Sequence, residues 1–145
     1  MTGKRIKAAA VLSGIFAGFW LGFLFYAIQK LTNIRLYDFL LNIDFLPLPA
    51  EVTHNVIIQW TLHLFISLLL AFLLVKTALK RKTLLIPLSF GINLAVSLTF
   101  FPLESAAEEK IIAPTVQNFG IWAAGHMIYA WVLASSIKRI MFTQK

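Results

Sequence analysis

Residues 8–28 read AAAVLSGIFAGFWLGFLFYAI, an uncharged run long enough, at 1.5 Å per residue, to cross a hydrocarbon core of about 30 Å as a helix. Ala10, Gly14, Gly18 and Gly22 fall at every fourth position, which keeps them on one helical face. Small residues in that pattern let another transmembrane helix approach closely, so Gly14, Gly18 and Gly22 form the expected packing seam, within a bundle or between subunits. A secretory signal would have an apolar region of about 7 to 15 residues and end at a small-residue cleavage site. This run is longer and ends in Phe23-Leu-Phe-Tyr26, so it predicts an uncleaved first transmembrane helix behind a basic head of Lys4, Arg5 and Lys7.

The composition of the whole chain agrees. Its 145 residues are 59% hydrophobic and 13% charged, whereas soluble domains carry roughly 25% charged residues. The expectation is a single integral membrane domain, residues 1–145, with the lipid bilayer as its surroundings. The absence of cysteine removes disulfides, thiolate catalysis and thiolate metal sites. A net charge of +7 and a pI near 10.0 would suggest nucleic acid in a soluble protein. Here the basic residues flank apolar runs, which is a membrane-topology pattern, and no nucleic-acid partner is expected.

Three more apolar runs follow, at 52–75, 84–101 and 116–137, and with 8–28 they predict an all-α bundle of four transmembrane helices. Glu51 suits the N-terminus of the second helix and Lys76 its C-terminus. Pro87 falls in the first turn of the third, where a missing N–H does little harm, and Pro102 is expected to end it. Between the first two runs, Arg35, Asp38 and Asn42 recur at three- and four-residue spacing among Ile34, Leu36, Tyr37, Phe39, Leu40, Leu41 and Ile43. That periodicity predicts an interfacial amphipathic helix over about 34–46, ended by Pro47 and Pro49; an ordered loop packed over the bundle is the alternative. The capping-box pattern of Ser105 to Glu108 predicts a short polar helix over 106–112, broken by Pro114.

Basic residues set the expected orientation. Three lie in the N-terminal head, four in the connection at 76–82 and three after residue 137, against three (Lys30, Arg35, Lys110) in the other two loops. All six acidic residues, Asp38, Asp44, Glu51, Glu104, Glu108 and Glu109, lie in those other loops. The positive-inside rule therefore predicts both termini in the cytoplasm, and a basic inner face suited to anionic headgroups.

Polar residues form seams at four-residue spacing: Asn55, Gln59, His63 and Ser67 on the second helix; Ser89, Asn93 and Ser97 on the third; Asn118, Trp122 and His126, then Tyr129 and Ala130, on the fourth. They are expected to face protein or water, because unpaired polar groups in hydrocarbon cost several kcal/mol. Their plain role is interhelical hydrogen bonding. His63 and His126, however, each fall about 15 Å below the expected outer end of their helix, near the bilayer centre, where ionisable residues are functional candidates. Gln59, His63, Asn93 and His126 are the candidate midplane site, and Gly18 falls at about the same depth. His54, near Glu51, reads as an interface residue.

Sliding the second helix onto the fourth by 63 positions superposes Asn55 on Asn118, Ile58 on Ile121, His63 on His126, Leu70 on Leu133 and Ala71 on Ala134. Sliding the first onto the third by 77 positions superposes Gly14-Ile15 on Gly91-Ile92, Leu21 on Leu98 and Phe23 on Phe100. Together they suggest a parallel two-plus-two repeat about an axis along the membrane normal, with the histidines as symmetry mates.

A glycine-rich first helix, Trp60-Thr-Leu-His63 in the second, Thr99-Phe-Phe-Pro-Leu103 at the end of the third and Trp122-Ala-Ala-Gly-His-Met-Ile-Tyr129 in the fourth together resemble the small bacterial four-helix membrane proteins of the YagU and YqhR type. The resemblance covers most of the chain in layout, through short motifs. It implies a protein of the bacterial cytoplasmic (inner) membrane and carries over no catalytic residues.

Three functions stay open. The first is a non-enzymatic structural, regulatory or accessory subunit whose glycine seam recruits a partner membrane protein or a second copy, with no cofactor. In the second, His63 and His126 ligate haem b, with Gly14 and Gly18 giving the macrocycle room. The third is a small transporter or channel with a midplane histidine and amide site. Enzyme chemistry has little support: the acids are in loops, the serines have no base beside them, and two histidines fall short of the three protein ligands of catalytic zinc.

Overall fold

The computed structural model describes residues 3–142; the basic tail residue Lys145 lies outside them. Helix α1 (Gly3–Thr32), α4 (Val56–Lys80) and α7 (Val116–Phe142) are long apolar helices. A fourth crossing is made of a 3-10 turn (Lys82–Leu84), α5 (Leu85–Ser97) and α6 (Phe100–Ala106). These four units are long and apolar enough to span a membrane, and no strand occurs among the described residues. The protein is an all-α four-helix bundle of the multi-pass membrane type.

Both ends of the bundle are tied by specific contacts. At one end Arg5 Nε donates to Ile140 O at 2.8 Å and Lys82 Nζ sits 4.3 Å from the Phe142 ring centroid, which gathers the start of α1, the 3-10 turn and the end of α7. At the other end Arg35 bridges Asp38 and Glu109, each at 2.9 Å, and these bonds hold its guanidinium pKa above the usual value, Asp38 most strongly. Asp44 is buried; it accepts from Asn42 Nδ2 at 2.8 Å and from the Glu109 main-chain N–H at 2.9 Å, joining the two loops of that end.

The segment between α1 and α4 differs from the expected interfacial helix over 34–46. Its helix, α2 (Leu36–Leu41), is shorter, because Asn42 turns its side chain onto Asp44 N at 3.1 Å and draws the chain into an Asx turn. Leu36, Phe39 and Leu41 are buried, and Phe39 meets Phe100 and Trp122 edge-on, each at 5.1 Å. The segment is thus a lid packed over the bundle. Gln29 of α1 holds it by accepting from Tyr37 N and Asp38 N at 3.0 and 3.2 Å, after Asn33 ends α1 with φ 61°, a left-handed C-terminal residue.

Three helix boundaries also move. Asn55 accepts from Ile57 N and Ile58 N and caps α4, so Glu51 falls in a separate single turn, α3 (Ala50–Thr53). Pro102 does not end the third crossing: it lies in the first turn of α6, tolerated there because the chain breaks at Leu98 and Thr99 and restarts. The predicted polar helix over 106–112 is absent, since Ser105 and Ala106 are the last turn of α6 and residues 107–115 run as an irregular connection.

Packing inside the bundle is uneven. Helix α1 lies along α4 on one side and along α7 on the other, and α7 lies along α5, whereas α4 and α5 touch little although the shortest connection joins them. A two-fold repeat would make the α1–α7 and α5–α4 interfaces alike, and they are not. Gly14 is pressed against α4 while its partner in the proposed repeat, Gly91, faces open space. The packing carries no two-fold symmetry, whatever the origin of the matched residues.

Candidate site: a wedge between α4 and α5

The glycine seam determines where the bundle is tight and, by default, where it is not. A Cβ on Gly14 would lie 3.1 Å from Leu68 Cα and Ala71 Cβ, one on Gly18 2.8 Å from Leu64 Cδ2, and one on Gly22 would run into the Trp60 indole. All three glycines therefore serve contact between α1 and α4 within the chain. With α1 held between α4 and α7, and α5 on the far side of α7, a wedge remains between α4 and α5.

That wedge contains a cavity of about 140 Å³, lined from α4 by His63, Ile66, Ser67 and Leu70 and from the third crossing by Asn93, Val96, Thr99 and Leu103. Leu21 of α1, Leu40 of the lid, and Trp122, His126 and Tyr129 of α7 complete it. Its volume is close to the ~150 Å³ of an apolar cavity that holds a benzene ring. Ile66 and Thr99 are exposed on the bundle surface, so the wedge opens sideways, where a bilayer would lie. Its accessible lining is mostly apolar, and the polar side chains contribute a small part of it.

Hydrogen bonds fix how the polar residues are presented. Ser67 Oγ lies 2.6 Å from Gly14 O and 2.7 Å from Tyr129 OH. A carbonyl can only accept, so the serine proton goes to Gly14 O and the tyrosine proton to Ser67 Oγ. By the same rule His63 Nε2, 3.1 Å from Gly18 O, and His126 Nδ1, 3.0 Å from Trp122 O, carry N–H groups. Asn93 Nδ2 donates to Ser89 O at 2.9 Å, and Thr99 Oγ1 to Val96 O at 2.6 Å. Among the residues that line the cavity, two buried atoms have no partner: the acceptor Asn93 Oδ1, on a residue 1% exposed, and the donor Trp122 Nε1, on a residue 3% exposed.

Of the four residues expected at the midplane, His63, Asn93 and His126 do line one cavity. Gln59 does not: one turn above His63, its Nε2 donates to Thr53 O at 2.8 Å and closes the break between α3 and α4. Asn55 and Asn118, the outermost members of their seams, serve helix starts, the latter by donating from its side-chain amide to Ala113 O at 2.9 Å. Ser67, Tyr129 and Trp122 stood on the seams without being assigned to the site. Their spacing of three and four residues from the histidines was the available signal, since it puts them on the histidine-bearing faces.

The residues do not fit a haem held in the manner the sequence suggests. The room expected at Gly14 and Gly18 is filled by Leu64, Ser67, Leu68 and Ala71, and the Nε2 of His63 is engaged by Gly18 O. Both histidines are also packed in aromatic clusters, His126 tilted against Trp122 at 4.4 Å and His63 edge-on to Trp60 at 5.7 Å. Among the described residues no three His, Asp or Glu side chains gather into a metal-sized group.

A lateral, ring-sized cavity with a mostly apolar lining and a few polar side chains can hold the head of an amphipathic molecule while its tail stays in lipid. Comparison with protein-family models, with curated proteins and with solved structures finds no match.

Proposed function

We propose that this protein is a small ligand-binding membrane protein of the carrier type, which takes the head of a lipid-soluble amphiphile into the wedge between α4 and α5. One observation carries the proposal: His63, Asn93 and His126, from three different helices, meet at a cavity that opens between the only two sequence-adjacent crossings that scarcely touch. Most of these polar groups are matched within the chain, but Asn93 Oδ1 and Trp122 Nε1 are not, and leaving a buried polar atom unmatched costs about 1–3 kcal/mol.

An accessory subunit that recruits its partner through the glycine seam has less support, since the seam is occupied by α4 of the same chain. A bacterial cytoplasmic membrane is the location we propose, on the strength of the layout shared with YagU- and YqhR-type proteins. Both termini lie on the cytoplasmic side in this proposal. All six acids belong to the end that holds Arg35 and Lys110, and Lys4, Arg5, Lys7, Lys76, Lys80, Arg81, Lys82, Lys138 and Arg139 belong to the other.

Filling the wedge tests the function. Protein released from nanodiscs of natural lipid into the mass spectrometer should retain a bound small molecule. Leu70→Trp, on the cavity wall, should lose it, and Leu69→Trp, on the neighbouring exposed face, should keep it. Equal retention by both variants, or none in the unmodified protein, would overturn the proposal.

A further inference from the structure

The basic end of the bundle carries a second feature, independent of the wedge and about 20 Å along α4 from His63. In the last two turns of α4, Leu73, Lys76, Thr77 and Lys80 follow one another at three- and four-residue spacing and so share a face. Arg81 leaves the helix in an extended conformation, φ −145° and ψ 89°. The turn that follows, closed by Leu84 N donating to Arg81 O at 3.1 Å, brings Leu84 back beside that face. The result is a groove of about 370 Å³ lined by these six residues. It lies open on the surface, with Leu73, Lys76, Lys80, Arg81 and Leu84 all exposed.

The charge of this groove is not neutralised within the described residues. Thr77 Oγ1 donates to Leu73 O at 3.1 Å, which leaves the three cations as the side-chain donors. None of the three is ion-paired, because all six acidic residues lie within 38–51 and 104–109, at the lid end. Lys76 and Lys80 are like charges one turn apart, an arrangement that is unfavourable until an anion sits between them. Phosphate suits the set: Arg81 offers a planar fork to two of its oxygens, and the lysines add two point charges. The two leucines say which phosphate. They give the groove an apolar wall, and Leu73 is followed toward the bundle centre by Leu69, 53% exposed on the same face. A free phosphate makes no use of that strip, whereas the acyl chain of a membrane lipid whose phosphate sits at the lysines lies along it. A zwitterionic head would bring an ammonium toward three cations; a net anionic head brings none.

We infer that the groove at the end of α4 binds one anionic glycerophospholipid, its phosphate on Lys76, Lys80 and Arg81 and an acyl chain along Leu73 and Leu69. The test uses the full chain in nanodiscs of phosphatidylcholine with a trace of probe lipid. The probe is phosphatidylglycerol or phosphatidylcholine carrying the same diazirine-bearing acyl chain, and labelled positions are mapped by peptide mass spectrometry. Two double variants lose the same charge from exposed side chains at the same end of the molecule. Lys76→Gln with Lys80→Gln alters the groove, and Lys138→Gln with Arg139→Gln alters the end of α7 outside it.

Phosphatidylglycerol should label residues 69–73 and Leu84 about tenfold more than phosphatidylcholine does, the size of effect expected from two or three partly screened cations at a membrane surface. The groove variant should bring that ratio close to one, and the α7 variant should leave it within about twofold of the unmodified protein. Equal labelling by the two probes in the unmodified protein would overturn the proposal. So would an equal fall in both double variants, which would assign the preference to the charge of the whole end and not to the groove. An unchanged ratio in the groove variant would overturn the role of the two lysines. Excess soluble glycerol phosphate should leave the labelling in place; its loss would overturn a lipid as the occupant in favour of a free phosphate. None of these outcomes depends on whether the wedge holds a ligand.

Discussion

Individual side chains differ sharply in what they can tolerate. A Cβ on Gly125 would enter the Phe25 ring, which cannot retreat because it is fully buried and stacked on Trp122 at 5.3 Å. Gly125→Ala should therefore cost about 1–3 kcal/mol, the usual range for overpacking. Gly91→Ala and Gly120→Ala meet open space and should be neutral or stabilising by up to about 1 kcal/mol, as alanine is the better helix former. Gly22→Ala should fall between them, since the indole it meets belongs to Trp60, a part-buried residue beside an open aromatic groove. Thermal unfolding in one detergent ranks the four variants. The chain from Tyr129 through Ser67 to Gly14 O gives a second ranking by the same measurement. Ser67→Ala breaks both links and should cost more than Tyr129→Phe, which breaks one; single interhelical bonds in membrane proteins average about 0.6 kcal/mol. The glycine period and the shared level of the two histidines, which line one cavity, were both legible at this scale. Which atoms of the histidines carry protons was not, because that depends on carbonyls of α1 and of α7's preceding turn.

Among the elements, the lid is joined to residues 107–115 by two contacts of different character. Arg35 is half exposed and pairs with Asp38 and Glu109 at the surface, where such pairs contribute roughly 0–1 kcal/mol and weaken with salt. Asp44 is buried and joins the lid to residues 107–115 through Glu109 N. Asp44→Ala should accordingly destabilise by about 1–3 kcal/mol and speed proteolysis within 107–115, while Arg35→Ala should do neither by a comparable margin; timed digestion of the two variants compares them. The long apolar elements were readable from composition and length, which a bilayer dictates. The short ones were not. Asn42 as an Asx turn, Asn55 as a helix cap and Pro102 inside a restarted helix each depend on where one side chain finds a backbone partner, and both outcomes fit the same local pattern.

The whole molecule has a side-to-side asymmetry and an end-to-end one. The end-to-end asymmetry of charge predicts topology, and the lack of native cysteine makes it simple to check. Thr83→Cys should react with an impermeant maleimide only after the membrane is opened, and Glu108→Cys in intact cells; the reverse result would invert the orientation. Because the seam of Gly14, Gly18 and Gly22 is internal, Gly18→Leu should lower thermal stability with no change in the mass of the detergent-solubilised assembly; a changed mass would return the seam to a partner. By itself the sequence determined four apolar crossings, the difference in charge between their two ends and the matching positions of the two histidines along their helices, since the hydrophobic effect and the charge rule act on composition along the chain. Only the tertiary structure decided that α1 is clamped between α4 and α7 and that α4 and α5 part. Helix–helix packing in a membrane is chosen by shape complementarity between faces remote in sequence, and many pairings share one hydropathy pattern. The opening beside His63, Asn93 and His126 is a product of that choice.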